Sequence, residues 1–485
     1  MSSRSIQHDS DRLGDCALAK PHLCAPPNRL IDGQTSIPRT VVESFMSDEK
    51  YSSLPAGTNE LSGTPRSIPR SAAESVEPSK RLTSLDQFRG YTVLGMLIVN
   101  YFGGYQACPQ VLKHTHDYCS YADTIMPQFL FAVGFSLRLT VGRQLQSGAS
   151  WQTYGRIVRR LLGLALVAFV VYSVSPRAAS WEKLQEIGIW GAIAEPLKRQ
   201  WFQTLMHIAV TSLWIVPVIH RPFSTRLAWM LGSATLHVVL SYLFNFTWCN
   251  TDPNAIDGGP LGFLSWTIPA MLGTFACDWF VPSRSADAKP IVPSRAIGLS
   301  VITACLLMLL GYAFSCATRF YDVASASTNG ETNALVLAKI PADPVVPDRS
   351  RVESKIRENT MTAWFAEPPF VKPPSRSERQ WNYWMMSQRA GTLSYLTFAA
   401  GFSLAIFVLF YVLCDLAGAQ LPIFKTFGTN ALAAYVLHDL VSNAVQPFFP
   451  KDSPMWYAYS GLGLFCLITW LFLRSLQRQN IFLRV

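Results

Sequence analysis

The sequence is poor in charged residues: Asp, Glu, Lys and Arg make up only 15% of its 485 residues. Soluble globular domains carry about a quarter. The first thirty residues contain no continuous apolar stretch, so they do not predict a signal peptide. The cysteines show no C-x-x-C spacing, which argues against a cysteine-based metal or redox site.

Long uncharged apolar runs recur instead, for example at Tyr91–Gly104, Val301–Ala317 and Gly391–Cys414. About 20 apolar residues in a helix cross the hydrocarbon core of a bilayer. One such run also fits the buried core helix of a soluble protein, but so many in one chain do not. The sequence therefore predicts an all-α fold, a polytopic transmembrane bundle of about ten helices behind a disordered N-terminal tail.

The chain divides into a polar tail and an apolar domain. Residues 1–80 are rich in Ser, Pro, Arg and Asp, which predicts a disordered cytoplasmic tail. Residues 81–485 form the membrane domain, with a long polar loop at 317–390. The predicted helices lie at residues 85–104, 122–144, 156–176, 201–220, 226–246, 260–281, 295–316, 391–414, 424–446 and 456–474.

The net charge of +10 reflects membrane topology rather than nucleic-acid binding, because the basic residues lie mostly in loops. Cytoplasmic loops carry an excess of Lys and Arg. The second, fourth and sixth loops are basic, and only the third, with Lys183 and Lys198, departs from the alternation. We predict an integral protein of the plasma or bacterial inner membrane, with both termini cytoplasmic and no nucleic-acid partner.

Three polar residues share one face of the first predicted helix. At 100° per residue, Asp86, Arg89 and Asn100 fall within about 60° of one another. Polar groups at membrane depth usually face the bundle interior or a water-filled cavity. Alternatively, Asp86 caps the helix and Arg89 reaches the lipid surface. Asn100 lies deeper and fits only the first interpretation.

The first outer loop carries His114, His116 and Asp117, and Asp123 follows at the start of the second helix. A neutral imidazole is a nucleophile or general base, and a carboxylate can fix its tautomer. A solvated surface loop and a zinc site are the alternatives, and no metal is predicted. In the ninth helix Asn430 and His438 are about 80° apart and could line the same cavity.

Residues 81–90 read R-L-T-S-L-D-Q-F-R-G, and Asn100–Gly104 reads N-Y-F-G-G. With the A-D-T-I-M-P of Ala122–Pro127, they resemble the heparan-α-glucosaminide N-acetyltransferase family of transmembrane acyltransferases. Weaker similarity follows in order at Thr204–Thr211 and at Gly259–Gly273, and a more specific match between Thr392 and His438 completes the pattern. The resemblance thus runs from about residue 81 to the C-terminus, and implies a transmembrane acyltransferase-like domain.

The resemblance implies that a histidine in an outer loop helps to move an acetyl group from cytosolic acetyl-CoA to a sugar amine. Lys113-His114 fits the Lys-His of that family, and His116 is a second candidate. The chain departs from the pattern where Tyr118-Cys119-Ser120 replaces Trp-x-Gly and where His207 replaces an arginine.

We therefore hypothesise a membrane acyltransferase that uses acetyl-CoA and acts on a sugar or glycan at the outer face. His114 or His116 is the nucleophile or base, and Asp123 or Asp117 orients it. Arg159 or Arg160 meets the phosphates of the donor. A homodimer in the bilayer is compatible with this scheme. The predicted cavity residues are Asp86, Arg89, Asn100, His207, Asn430 and His438.

Two other classes share these features. Intramembrane Asp, Arg, Asn and His also build proton relays in transporters, although the two halves of this chain show no repeat of the kind common in transporters. An inactive membrane protein that kept the acyltransferase fold is the other alternative.

Overall fold

The computed structural model describes residues 82–146, 150–172, 174, 178–281, 292–323, 340–358, 361–375 and 378–483. Within these ranges the chain is helical, with no strand beyond one isolated antiparallel bridge between Asp322 and Arg379. The predicted all-α class is confirmed. The predicted disordered tail at 1–80 lies outside the described residues.

The helices are numbered in chain order. They are α1 (Thr83–Phe102), α2 (Tyr121–Gln146), α3 (Ser150–Val171), α4 (Trp181–Glu195), α5 (Thr204–Ile215), α6 (Phe223–Leu240), α7 (Phe246–Asn250), α8 (Phe263–Phe280), α9 (Pro293–Cys316), α10 (Arg349–Arg357), α11 (Leu393–Phe410), α12 (Pro422–Thr429), α13 (Ala431–Val445) and α14 (Met455–Arg478).

Helix covers each of the ten predicted segments, but the count of about ten spans is not confirmed. Among the described residues, six helices are long and apolar enough to cross a membrane, or seven if a pair bent by 87° counts as one span. That pair joins Trp181–Gln200 to Thr204–Val218. The ninth predicted span is broken at Asn430, whose φ of −122° and ψ of 43° separate α12 from α13.

The helices differ in how much protein surrounds them. The apolar window of α8 is 83% buried, whereas those of the spans at 223–250, 293–321 and 455–478 are only 22%, 17% and 28% buried. Apolar side chains that no protein covers are stable in lipid. The helix α8 is therefore central, and α6, α9 and α14 present apolar surface for the bilayer.

Glycines let α2 and α8 touch backbone to backbone. A Cβ on Gly134 would lie 1.9 Å from the carbonyl oxygen of Ala270, and one on Gly273 would lie 2.0 Å from that of Phe131. Small residues at such contacts are common between membrane helices, because they allow close approach. This packing fixes the position of α2, which carries Asp123 at its N-terminal end.

A similar contact sets the register of α1 against α12 and α13. A Cβ on Gly90 would lie 1.8 Å from the carbonyl oxygen of Phe424, and one on Gly428 would lie 2.1 Å from that of Asp86. Asn100 lies ten residues after Gly90, His438 lies ten residues after Gly428, and these two side chains meet. Because equal steps along the two segments lead to the next contact, α1 and α12–α13 run in the same direction.

The long polar loop is partly structured and packs against the bundle. It contains α10, and the guanidinium of Arg379 pairs with Asp322 at 2.6 Å and with Glu367 at 2.5 Å. The backbone N–H of Phe370 donates to the carbonyl of Cys119 at 2.9 Å. The loop is thereby held against the segment that precedes α2.

Candidate active site

A cavity of about 280 Å³ lies between α1, α2, α5 and α13, beneath the loops that precede α2 and α8. One part of its wall is apolar and the other is polar. The polar and titratable residues of the wall are Thr92, Asn100, His114, His116, Gln203, Thr204, Asp257, Gln388 and Tyr435.

His114 forms part of this wall and bonds to Asp123, with 2.8 Å between Nδ1 and Oδ1. The His114 side chain is 41% accessible, whereas that of Asp123 is fully buried. A carboxylate accepts from Nδ1–H, so this contact places the ring proton on Nδ1 and leaves a lone pair on Nε2. The predicted loop histidine is thus open to a chamber and held in one tautomer.

Asp123 is itself held by the loop that precedes α2. Its Oδ2 accepts from the Ser120 hydroxyl at 2.9 Å, from the Ser120 N–H at 3.0 Å and from the Thr115 hydroxyl at 3.0 Å. Its backbone carbonyl accepts from the hydroxyl of Tyr395 on α11 at 2.6 Å. These bonds satisfy a buried charge and fix the direction in which it meets His114.

The two loop histidines have different electrostatic surroundings. Burial lowers the pKa of His114, but the hydrogen bond to Asp123 and the negative charges of Asp123 and Asp257 outweigh it, so the pKa is raised above 6.5. For His116, burial and the positive charge of Arg389 lower the pKa to about 4. His116 lines the same cavity as a neutral imidazole.

Asp257 and Gln388 are among the wall residues that the sequence does not predict. Asp257 lies in the turn before α8, and the Nε2 of Gln388 donates to its Oδ1 at 2.9 Å. Burial raises the pKa of Asp257 to about 7, and His114 and Gln388 counteract part of that shift. Asp257 immediately precedes the glycines of the weak motif at 259–273, but nothing in the sequence relates it to the histidine loop.

A contact between α1 and α13 lies beside the cavity. The Nδ2 of Asn100 lies 3.3 Å from the Nε2 of His438, and Asn100 lines the cavity. One turn before His438, Tyr435 also lines it, and its hydroxyl lies 2.5 Å from that of Tyr172. Tyr172 accepts from the backbone N–H of Leu205 at 2.9 Å.

Three predicted cavity residues lie at the other end of α1. Asp86 and Arg89 are in its first two turns, about 15–20 Å along the axis from Asn100. Asn430 is buried at the break between α12 and α13, and its Nδ2 donates to the carbonyl of Ile481 at 3.3 Å. None of the three belongs to the cavity wall formed by the described residues.

His207 is fully buried in α5, between the rings of Phe202 and Trp266. A Cβ on Gly262 would lie 2.9 Å from its Cε1. Among the described residues that line the cavity, His207 is not present. Its environment is that of a packed core residue.

Arg159 and Arg160 lie exposed on α3 and are not among the described residues that line the cavity. Nor do the described residues include any group of three or more His, Cys, Asp or Glu that could hold a metal ion. The polar groups of the cavity wall are imidazole, carboxylate, amide and hydroxyl groups.

The family comparison agrees with the motifs at the cavity. The sequence profile described as "Heparan-alpha-glucosaminide N-acetyltransferase, catalytic" matches residues 81–309, a range that contains Asn100, His114, Asp123 and Asp257. The matched range is a little under half of the 485 residues, and over that range the chain is similar to this family. The resemblance predicted from the sequence is confirmed.

Two curated members of this family are similar to the chain. The human heparan-alpha-glucosaminide N-acetyltransferase is 23% identical over 430 residues, which cover 84% of the chain. The mouse protein of the same name is 31% identical over 141 residues, 27% of the chain and 21% of the mouse protein. The chain spans about 60% of the length of the human relative.

Proposed function

We propose that this protein is a membrane-bound acetyltransferase that moves an acetyl group from acetyl-CoA to a sugar or glycan acceptor. The observation that carries the proposal is His114, open to a chamber and hydrogen-bonded through Nδ1 to the buried carboxylate of Asp123. A base and its orienting group in hydrogen-bond contact are the geometric signature of acyl transfer.

His114 is the better of the two candidate histidines. Asp123 contacts His114 directly, and the opposite ring nitrogen keeps the lone pair that the chemistry needs. His116 stays neutral because burial and Arg389 lower its pKa to about 4. A base with so low a pKa has little driving force to take a proton near neutral pH.

In the general-base route, the acceptor N–H or O–H gives its proton to Nε2 of His114 as its nitrogen or oxygen attacks the thioester carbonyl carbon. The new N–C or O–C bond forms, the C–S bond breaks, and the CoA thiolate takes the proton from Nε2. In the nucleophilic route, Nε2 attacks the carbonyl carbon first, the C–S bond breaks and CoA leaves as the thiolate. The acceptor then attacks the acetyl group, the bond from Nε2 to carbon breaks, and the proton of the acceptor passes to Nε2 and from there to the CoA thiolate or to solvent. Asp123 stabilises the positive charge on the ring in both routes.

The shape of the cavity suits a donor with a long arm. Its wall follows α1 from Thr92 to Asn100, a rise of about 12 Å, and α2 from Ala122 to Phe129, about 10 Å. The residues between are mostly apolar, and the histidines lie at one end. An extended thioester arm could follow this wall to His114, with Arg159 or Arg160 near the donor phosphates outside the cavity.

The test uses the purified full chain in lipid nanodiscs with acetyl-CoA labelled in its acetyl group. We expect label to pass to an aminosugar glycoside in the wild type. Label that first appears on the protein in a form released by hydroxylamine supports the nucleophilic route, and transfer without it supports the base route. The proposal fails if the wild type transfers no label to protein, amino sugar or hydroxyl sugar.

A further inference from the structure

Asp257 is a buried carboxylate on the cavity wall to which the acyl-transfer scheme gives no role. The residue is 3% exposed, and its Oδ1 accepts from Nε2 of Gln388 at 2.9 Å. Within the described ranges no other side chain or backbone N–H donates to the carboxylate. Its second oxygen is therefore available to the cavity.

A buried carboxylate with one donor is energetically unfavourable unless a further donor binds its second oxygen. A carboxylate removed from bulk water is costly when its oxygens lack donors, so most buried carboxylates carry a full set of hydrogen bonds. Asp123, nine residues from His114, has such a set, and Asp257 accepts only from Gln388 among the described residues. Burial raises the pKa of Asp257 to about 7.

Gln388 links this carboxylate to the reacting histidine. Its amide donates to Asp257, and its side chain lies near enough to His114 to help raise the pKa of that residue. The backbone holds the same two segments together, because the N–H of Gly258 donates to the carbonyl of Arg389 at 2.9 Å. The carboxylate of Asp257 and the imidazole of His114 therefore line the same cavity, and Gln388 lies beside both of them.

We propose that Asp257 and Gln388 form the acceptor subsite of this enzyme. The open oxygen of Asp257 accepts a hydrogen bond from the N–H or O–H group that receives the acetyl group, and holds that group against His114. Asp257 forms no covalent bond in this role. The inference rests on the proposed acetyl transfer, to which it adds the residues that recognise the acceptor.

A purely structural role for Asp257 makes a different prediction. Its φ of 55° lies in the left-handed region, and its backbone carbonyl accepts from the indole of Trp266 at 2.7 Å. Asn tolerates that backbone conformation about as well as Asp. Asp257→Asn therefore preserves the turn and its backbone bonds. It also replaces one carboxylate oxygen by an NH₂ group, which cannot accept from a ligand.

The experiment measures binding without turnover. The purified full chain is titrated with methyl glucosaminide and with methyl glucoside, and separately with acetyl-CoA. The variants are Asp257→Asn and Gln388→Leu, with Asp252→Asn as the control on the exposed part of the same loop. A hydrogen bond to a charged group is worth enough to change affinity about tenfold or more.

We expect at least one sugar to bind the wild type, and its Kd to rise about tenfold or more in Asp257→Asn and to a lesser degree in Gln388→Leu. The Asp252→Asn control should stay within about twofold, and acetyl-CoA affinity should change little in all variants. Equal sugar affinity in wild type and Asp257→Asn overturns the subsite, as does a wild type that binds neither sugar. Sugar binding that depends on Asp257, without any label transfer, would count against the acetyltransferase proposal alone.

Discussion

Nδ1 of His114 lies 2.8 Å from Oδ1 of Asp123. His114 belongs to a loop, and Asp123 belongs to the first turn of the helix α2 that follows this loop. The Ser120 and Thr115 groups that hold the second oxygen of Asp123 belong to the same loop. The loop thus builds its own support for the imidazole. The rest of the bundle supplies the cavity that the ring faces.

The first prediction separates the two histidines. His114→Ala should lower acetyl transfer by about 10²-fold or more, because general acid–base catalysis contributes typically 10²–10⁴-fold. His116→Ala should change the rate by less than about tenfold, since His116 is not bonded to Asp123. Initial rates with labelled acetyl-CoA provide the measurement. Full activity in the double variant would remove both residues from the mechanism.

The second prediction concerns pH. The deprotonated His114 is the active form, and its pKa is raised above 6.5, so the rate should rise with pH through a midpoint above 6.5. Asp123→Asn removes the negative charge that raises this pKa, although the amide Oδ1 can still accept from Nδ1–H, so burial has the larger effect in the variant. We expect a lower maximal rate and a rising limb displaced to lower pH.

The measurement for this prediction is the pH profile of kcat in both proteins. Asp257 has a pKa of about 7 and titrates in the same range. The Asp257→Asn profile removes that second titration, and its midpoint for His114 should also be lower, because the charge of Asp257 helps to raise the pKa of His114. An unchanged midpoint in Asp123→Asn would contradict the assignment of Asp123 as the partner that raises the pKa.

The third prediction tests the contact between α2 and α8. Gly273→Ala places a methyl group 2.0 Å from the carbonyl oxygen of Phe131, so the helices must separate. Overpacking costs about 1–3 kcal/mol, and the shift should also disturb α2 below Asp123. Gly298→Ala is the matched control, because a Cβ there meets nothing within 4 Å. Thermal stability in detergent should fall only for Gly273→Ala.

The fourth prediction concerns the ion pairs at the far ends of α2 and α8. Asp278 pairs with Arg226, which is 1% exposed, and with Arg138 at 2.8 Å. Asp278→Ala leaves a buried guanidinium without its carboxylate, and such losses cost about 3–5 kcal/mol. We expect the lower end of that range, because the Asp278 side chain is 35% accessible.

The control for this pair is Glu186→Gln, which removes the partner of Lys183 in an exposed pair. Exposed pairs contribute about 0–1 kcal/mol. Melting followed by size-exclusion chromatography should therefore show a clear loss of folded protein for Asp278→Ala and little change for Glu186→Gln. Similar melting curves for the two variants would show that the Arg226 pair is not stabilising.

Several site residues could be predicted because they lie close together in the sequence. Lys113-His114 and the Ala122–Pro127 motif lie next to each other in the chain, and a loop that leads into a helix brings neighbours together. Asp257 and Gln388 could not be found in this way, since 131 residues separate them. Their meeting depends on where the loop before α8 and the end of the long polar loop pack.

The helical wheel was informative about direction but not about depth. It places Asp86, Arg89 and Asn100 on one face, yet at 1.5 Å per residue only Asn100 reaches the cavity. Asn430 and His438 also lie at different levels, because His438 contacts Asn100 whereas Asn430 lies at the break between α12 and α13. The angle of a residue around its helix axis does not tell where along that axis a cavity lies between the helix and its neighbours.

The sequence by itself determined the all-α class, the long apolar helices, the resemblance to the family and the histidine loop, because apolar length and short motifs are local properties. The tertiary structure alone decided that Asn100 meets His438, 338 residues away, and that Asp257 and Gln388 join the cavity wall. The physical reason is helix register. Contacts such as Gly90 against Phe424 and Gly273 against Phe131 fix how far each helix slides along its neighbour, and that sliding distance selects which side chains share a chamber.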